Sequence, residues 1–395
     1  MSDCVCYDGL NLFRVKGLFM RVKLFSTAII VALISLPIGT VNAASQEGDQ
    51  AAVGYKIETV AEGLDFPWSI AFLPNGDYLV ALRVGEVRRI SASGEVGEPL
   101  TGLPDAYVAS QGGYFDVMLD PDFTSNQTIY LSFAHGTAAE NGTRIIKGTL
   151  NEMTVENVQI LFTASPLKDT AVHYGGKMIF LADGTLMMTT GDGFQYREAA
   201  QDKFSLLGKI IRINTDGSVP LDNPYADGSQ GDPRVWSYGH RSPQGLVLDE
   251  ATDIVYMHEH GAQGGDELNA ILPTQNYGWP AVTKGVNYSG AYVSPLTSAP
   301  GIEEPLTYWV PSIAPSGLAI YDGAAFPQWQ GDLFVGALVD QEVRHLKMEA
   351  GQIVSEVPMF TEINERIRDI RVGPDGFLYI LTDSNSGKVL RVMPE

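Results

Sequence analysis

The chain has 395 residues, 45% of them apolar and 18% charged, and its 26 Lys and Arg against 47 Asp and Glu give a net charge of −21. That composition fills a folded core and excludes a disordered or fibrous chain, while the acidic balance without any basic cluster excludes nucleic acid and anionic membrane as partners. Its 42 Gly and 22 Pro, with 17 Tyr and 16 Phe, suit short strands and many turns better than a helical bundle.

At the amino terminus Arg21 and Lys23 precede the apolar run Leu24 to Ile38, and Val41-Asn42-Ala43 supplies the small residues of a cleavage site. The pattern predicts a secretory signal peptide over 1–43, with Met20 as the functional start. The run falls short of the roughly 20 apolar residues a bilayer span needs, contains Pro37, and has no successor, so no membrane span is expected in the mature chain. Cleavage after Ala43 removes Cys4 and Cys6, the chain's 2 cysteines, and with them any disulfide or Cys-based zinc site. An acidic, cysteine-free exported protein is expected in the periplasm, with residues 44–395 as one domain.

From Leu73 onward one signal recurs: a short polar turn, then an apolar run of strand length. It appears as Leu73-Pro-Asn-Gly-Asp-Tyr-Leu-Val-Ala-Leu82, then from Asp120 to Phe133, Leu181 to Thr190, Leu248 to Met257, Phe326 to Val335 and Val372 to Leu381. The turn positions Gly76, Gln127, Gly184, Asp253, Gly331 and Gly376 lie 45 to 78 residues apart, enough for four short strands and their loops. Six such repeats predict an all-β fold, a six-bladed β-propeller, each apolar run being an inner strand covered on both faces. The longer middle intervals imply long loops on one face, where function usually sits.

Polar groups cluster at equivalent places before these runs. Gln111-Gly-Gly-Tyr-Phe-Asp116 precedes the second, and Val172-His173-Tyr174-Gly175-Gly176 precedes the third, where two glycines allow close approach to a ligand. His173 is either a general base, with an unperturbed pKa of ~6.5, or a structural histidine. Gly239-His240-Arg241-Ser242-Pro243-Gln244-Gly245 offers a guanidinium for a carboxylate or quinone oxygen, or else an inter-blade ion pair. In the stretch His258 to Asn269, Asp266, Glu267 and the carbonyls of a Gly-rich loop favour calcium over zinc, although His258 and His260 could bind zinc. Glu365-Arg366-Ile367-Arg368-Asp369 sets two guanidiniums on one strand face, which call for an anion between them or for solvent. All of these would meet at one mouth of the propeller.

Together with Asn276-Tyr-Gly-Trp-Pro280 and Pro311-Ser-Ile-Ala-Pro-Ser-Gly317, these stretches resemble, in order and over about residues 55 to 393, the soluble quinoprotein aldose sugar dehydrogenases of the glucose/sorbosone dehydrogenase family. The resemblance implies oxidation of the anomeric carbon of an aldose to a lactone, using pyrroloquinoline quinone and calcium. It makes His173 the base that takes the anomeric hydroxyl proton while hydride passes to the quinone, and Arg241 the stabiliser of the developing oxyanion. It assigns Gln111, Arg241, Ser242, Tyr288, Arg366, Ile367 and Arg368 to the cofactor, one calcium to the carbonyls of Gly261 and Ala262, and a second to Glu267 and Tyr277. An aldose and a separate electron acceptor are the implied partners, with a monomer or homodimer as the assembly.

The chain departs from the family pattern at Ser242, where Asn is usual, at Ala262, where Pro is usual, and at Val339, where many members carry a cofactor-contacting Lys. Loss of that cation removes a charged hydrogen bond worth about 1.5–3 kcal/mol. Two other readings of the residues remain, a calcium-dependent lactonase or esterase and a noncatalytic propeller that binds a saccharide or a protein.

Overall fold

The computed structural model describes residues 53–395, so the predicted signal peptide, its cleavage site and Met20 lie outside the described residues. Twenty-four strands form six four-stranded antiparallel sheets, the predicted six-bladed propeller. In blade 1 the strands run Pro67–Phe72, Tyr78–Leu82, Glu86–Ile90 and Val96–Pro99, from the axis outward. Blades 2 to 5 repeat this order, starting from Tyr114–Leu119, Gly175–Phe180, Pro243–Asp249 and Pro315–Ile320.

Blade 6 is built from both ends of the described chain. Ile367–Val372, Leu378–Thr382 and Gly387–Pro394 are completed by Tyr55–Leu64, whose register runs from Tyr55 opposite Pro394 to Leu64 opposite Gly387. This closure pairs the free edge of the last strand and fixes the ring.

Each recurrent apolar run is the second strand of its blade, hydrogen-bonded on both sides, while the innermost strand lies just before the polar turn. The run is doubly covered, as expected, but it does not line the axis. All six turn positions have positive φ: Gly76 at 88°, Gln127 at 51°, Gly184 at 80°, Asp253 at 58°, Gly331 at 82° and Gly376 at 78°. A tight reversal into the second strand needs this left-handed residue, which glycine, and less readily Asp or Gln, can supply.

Stability comes from six apolar seams between neighbouring blades. Ala71, Leu79, Val117 and Leu131 join blades 1 and 2; Met187, Leu246 and Met257 join 3 and 4; Tyr78, Val80, Tyr379 and Leu381 join 6 and 1. Burying such side chains contributes roughly 1.5–3 kcal/mol each.

One irregularity recurs and prepares the site. The first two strands of every blade shift register near the start of the innermost strand, between Pro67 and Ser69, Tyr114 and Val117, Gly175 and Met178, Pro243 and Gly245, Pro315 and Leu318, and Ile367 and Asp369. A bulge there splays the strand and re-aims the residues beside it. All six bulges lie where the chain enters its innermost strand, at one end of the axis.

Candidate active site

The candidate residues sit at or just before those bulges. Gln111 precedes blade 2, His173 blade 3, Arg241 blade 4 and Ala314 blade 5, while Arg366 and Arg368 flank the first residue of blade 6. The backbone is bent hard here: Ser110, His173, Phe194 and Ala314 all have φ between 51° and 66°. Such conformations cost energy in non-glycine residues and gather where the fold over-determines a site.

His173 is 7% exposed, and its Nδ1 lies 2.7 Å from Asp192 Oδ1. A carboxylate acceptor places the ring proton on Nδ1 and leaves Nε2, which has no partner among the described residues, to accept a proton. Asp192 is held in turn by the backbone N–H of Phe194 at 2.7 Å and by Trp279 Nε1, which donates to its second oxygen at 2.7 Å. The backbone N–H of His173 donates to Gln111 Oε1 at 2.7 Å. Burial lowers the His173 pKa below its ordinary value, against the opposing pull of Asp192, and the charges of Arg241 and Lys168 lower it further. The imidazole is therefore neutral near pH 7.

Arg241 is 3% exposed and directly coupled to this group, because Asp192 N–H donates to its carbonyl at 2.8 Å. Its guanidinium carbon lies 5.1 Å from the centre of the Trp279 ring, and Nη1 donates to the carbonyls of His260, at 3.1 Å, and Gly261. The buried Nε has no partner. Glu259 fixes the loop beneath, accepting from the backbone of Arg241 and of Ser242, the latter at 3.2 Å.

A cleft of about 270 Å³ is lined by Trp68, Arg83, Gln111, Val339, Arg366 and Arg368, among others. Arg366 and Arg368 both reach Asp383, at 3.1 and 3.2 Å. Part of their mutual repulsion is thus met by an acid the sequence reading had not found. A second cleft of about 460 Å³ is lined by Phe194, Arg197, Arg241, Ala262, Trp279 and Tyr288. A third, which shares His260, Ala314 and Val339 with the first and Ala262 and Tyr288 with the second, joins them into one trough across the mouth. His173 touches both ends, through Gln111 and through the Phe194 ring at 5.3 Å. A larger cavity, about 780 Å³, lies at the other end of the axis among Ile179, Leu248, Ile320 and Val372, away from this chemistry.

Several expectations are changed by these positions. Ser242 is buried, and its hydroxyl meets Gln244 at 3.3 Å rather than the cleft. Ile367 is fully buried between blades 5 and 6 and offers no side chain to the mouth. Tyr288 is 66% exposed and lines the second and third clefts of the trough. Gly176 serves packing: a Cβ there would lie 2.7 Å from the Phe115 ring of blade 2.

The donor set fits an anionic planar cofactor, with arginines and an amide lining one trough. At Gly261 the carbonyl expected to hold calcium accepts a hydrogen bond from the Arg241 guanidinium. Asp266 is no ligand; its oxygens accept from Gly261 N at 2.8 Å, Ser312 Oγ at 2.6 Å and Ala314 N at 3.0 Å. Nor do His258 and His260 form a zinc pair, since their Nε2 atoms meet the carbonyls of Gly317 at 3.2 Å and Pro315 at 2.7 Å. Among the described residues no group of three or more His, Cys, Asp or Glu is placed to hold a metal.

Around Glu267 the chemistry differs. Burial and the charge of Glu259 push its carboxyl up to about 8, and a side-chain hydrogen bond with buried Asn269 only partly opposes them. A cation would satisfy the Glu267 carboxylate and the Asn269 Oδ1 beside it. The Tyr277 hydroxyl is already used, donating to Ala270 O at 2.7 Å and accepting from Leu272 N at 2.8 Å, so only its main chain could take part.

Asp192, Phe194 and Arg83 were not singled out from the sequence, and Trp279 stood there only as part of the Asn276–Pro280 stretch, with no role given. For Asp192 a signal existed, the Gly191-Asp192-Gly193 triplet closing the third repeat.

Comparison with known proteins places this arrangement. A family model described as Glucose / Sorbosone dehydrogenase matches residues 64–391. Aldose sugar dehydrogenase YliI of Escherichia coli K12 is 39% identical over 344 residues, covering 86% of this chain and 92% of that protein. The crystal structure of the soluble E. coli aldose sugar dehydrogenase in its apo form superposes with a TM-score of 0.83 at 39% identity, over 86% of this chain and 100% of that one. The PQQ-bound form of an aldose sugar dehydrogenase from Streptomyces coelicolor gives 0.70 at 26% identity, over 86% and 99%.

Proposed function

Because the chain belongs to the glucose/sorbosone dehydrogenase family, and so is an oxidoreductase acting on a sugar CH–OH, we propose that it oxidises the anomeric carbon of aldoses to lactones with pyrroloquinoline quinone as cofactor. The observation that carries this reading is the 2.7 Å contact between His173 and Asp192 at the edge of an arginine-lined trough. A calcium-dependent hydrolase would want acidic side chains around a central ion, and none of the trough residues supplies such a ring.

Arg366, Arg368 and Gln111 would hold the cofactor, the guanidiniums meeting its carboxylates. The bound quinone supplies the two-electron acceptor for the hydride leaving the anomeric carbon. His173 Nε2 takes the proton of the anomeric hydroxyl as the lactone C=O forms, so proton and hydride leave in one step and the sugar is oxidised by two electrons. Asp192 holds the ring in the tautomer that leaves Nε2 free and stabilises the imidazolium that follows. Arg241 offers positive charge beside the same atoms, where negative charge develops.

Calcium enters this reading at Glu267, with Asn269 beside it, as a support of the loop ahead of Tyr277. Export by a signal peptide over 1–43 to the periplasm, a separate electron acceptor, and a monomer or homodimer complete it.

The test is reconstitution of the purified chain with pyrroloquinoline quinone, with and without calcium, following aldose-dependent reduction of an artificial dye. Turnover that requires the quinone and disappears in His173→Ala supports the reading. Absence of both quinone binding and aldose oxidation would sink it. Addition of calcium should raise the thermal midpoint of the wild type and leave that of Glu267→Gln unchanged.

A further inference from the structure

Arg83 lies in the same cleft as Arg366 and Arg368, yet nothing in the sequence pattern singled it out. It follows the second strand of blade 1, and its backbone N–H donates to Phe66 O at 3.0 Å. The guanidinium carbon sits 4.2 Å from the centre of the Phe66 ring. The backbone on its other side is held by Gly113, where a Cβ would overlap the Arg83 carbonyl and come within 2.9 Å of its Cα. The second glycine of Gln111-Gly-Gly thus seats Arg83 against the loop that carries Gln111.

The other two guanidiniums are both tied to Asp383. Arg83 is half-buried, and among the described residues its guanidinium makes no hydrogen bond or ion pair. Burial and the charges of Arg366 and Arg368 oppose its positive charge, and Asp383 only partly offsets them. Three guanidiniums thus meet in one cleft of a chain whose net charge is −21, with Asp383 paired to two of them and Asp65 a weaker counter-charge for Arg83. Such a concentration of like charge is costly unless an anion completes it. Val339, 58% exposed on the wall of the same cleft, brings no charge to it.

We propose that Arg83 is a cofactor-binding residue, its guanidinium held on the Phe66 ring to receive a carboxylate of the quinone bound by Arg366 and Arg368. This rests on the cofactor reading above. It gives the chain a third cation for the cofactor despite valine at position 339.

The test is equilibrium binding to the cofactor-free full chain, read from the quinone absorbance and needing no turnover. The probes are pyrroloquinoline quinone and its trimethyl ester, which keeps the rings and loses the carboxylate charges. For Arg83→Gln the affinity for the quinone should fall about tenfold to a hundredfold, the range for a lost hydrogen bond between charged groups, and its salt dependence should become shallower. The ester should bind wild type and variant alike. Arg83→Lys should recover part of the loss, which a merely structural role would not give, and circular dichroism and thermal midpoints establish that both variants are folded.

If Arg83→Gln binds the quinone within twofold of wild type while Arg366→Gln loses it, the proposal is wrong and the cofactor reading stands. If the wild type binds no quinone, both fall together. Equal weakening of quinone and ester would mean Arg83 shapes the cleft without meeting a carboxylate, which also overturns the proposal.

Discussion

Trp279 and Asp192, 87 residues apart in the chain, meet through a 2.7 Å hydrogen bond in which the indole Nε1 donates to Oδ2, while the face of the same indole lies 5.1 Å from the Arg241 guanidinium carbon. One side chain thus fixes the carboxylate behind the base and carries the cation beside the reacting atoms. Trp279→Phe separates the two roles, because it removes the donor and keeps an aromatic face. Short of one donor, the Asp192 carboxyl pulls harder on the Nδ1 proton of His173. The acid limb of the kcat/KM profile should move to higher pH in this variant, with kcat reduced about tenfold. An unmoved limb would show that the indole N–H plays no part in tuning the base.

His173 should work below its ordinary titration range. Its pKa is lowered, and the neutral imidazole is the active form, so activity should persist below pH 6.5 and decline only as pH falls through the lowered value. Asp192→Asn removes the group that fixes the tautomer, and kcat should drop on the order of 10²–10⁴ with KM little changed. A variant that keeps more than half of wild-type kcat would remove Asp192 from the mechanism.

His258 makes the fold sensitive to acid. It is buried between blades 4 and 5, and desolvation lowers its pKa to about 4 from an unfolded value of 6.5. Its neutral form is compatible with the folded state, so its contribution is complete above pH 6.5 and is lost as pH falls from there toward 4. Between pH 7.5 and 5.0 this linkage amounts to about 2 kcal/mol. Unfolding free energies from urea titrations at these two pH values should differ by about 2 kcal/mol less in His258→Gln than in wild type. An equal loss in both would place the acid sensitivity elsewhere.

Gly191 is where the third repeat meets the base. A Cβ at this position would overlap the carbonyl of His173 and approach its Cα to 3.1 Å. Gly191→Ala should cost about 1–3 kcal/mol of stability and displace His173, with at least a tenfold loss of kcat. Gly331→Ala is the control: it strains a positive φ, 82°, which Gly191 does not have, but a Cβ there meets nothing within 4 Å. It should lower the thermal midpoint and leave kcat intact; equal losses of kcat in both would make the effect one of general stability.

What was readable in the chain was whatever depends on local spacing. The six polar turns announced six blades because each must reverse the chain through a left-handed residue, and the structure has positive φ at all six. His173, Arg241, Arg366 and Arg368 were readable because each stands in a Gly-, Pro- or Arg-marked stretch at the same point of its repeat. Turn spacing alone did not tell which strand of the blade follows the turn, since an apolar run reads the same in first or second place.

The sequence by itself therefore determined the propeller, the number of its blades and the segments that enter its mouth, because turn chemistry and apolar periodicity act within a few residues. Only the tertiary structure decided what those segments do to one another: that Asp192 and Trp279 back His173, that Asp383 stands between two arginines, that Arg241 takes the carbonyl expected to hold calcium, and that Arg83 joins the cleft. These contacts link blades far apart in the chain, and closing the ring through Tyr55–Leu64 and Gly387–Pro394 is what brings blades 1 and 6 together. Burial and charge at the mouth exist only once that ring is closed.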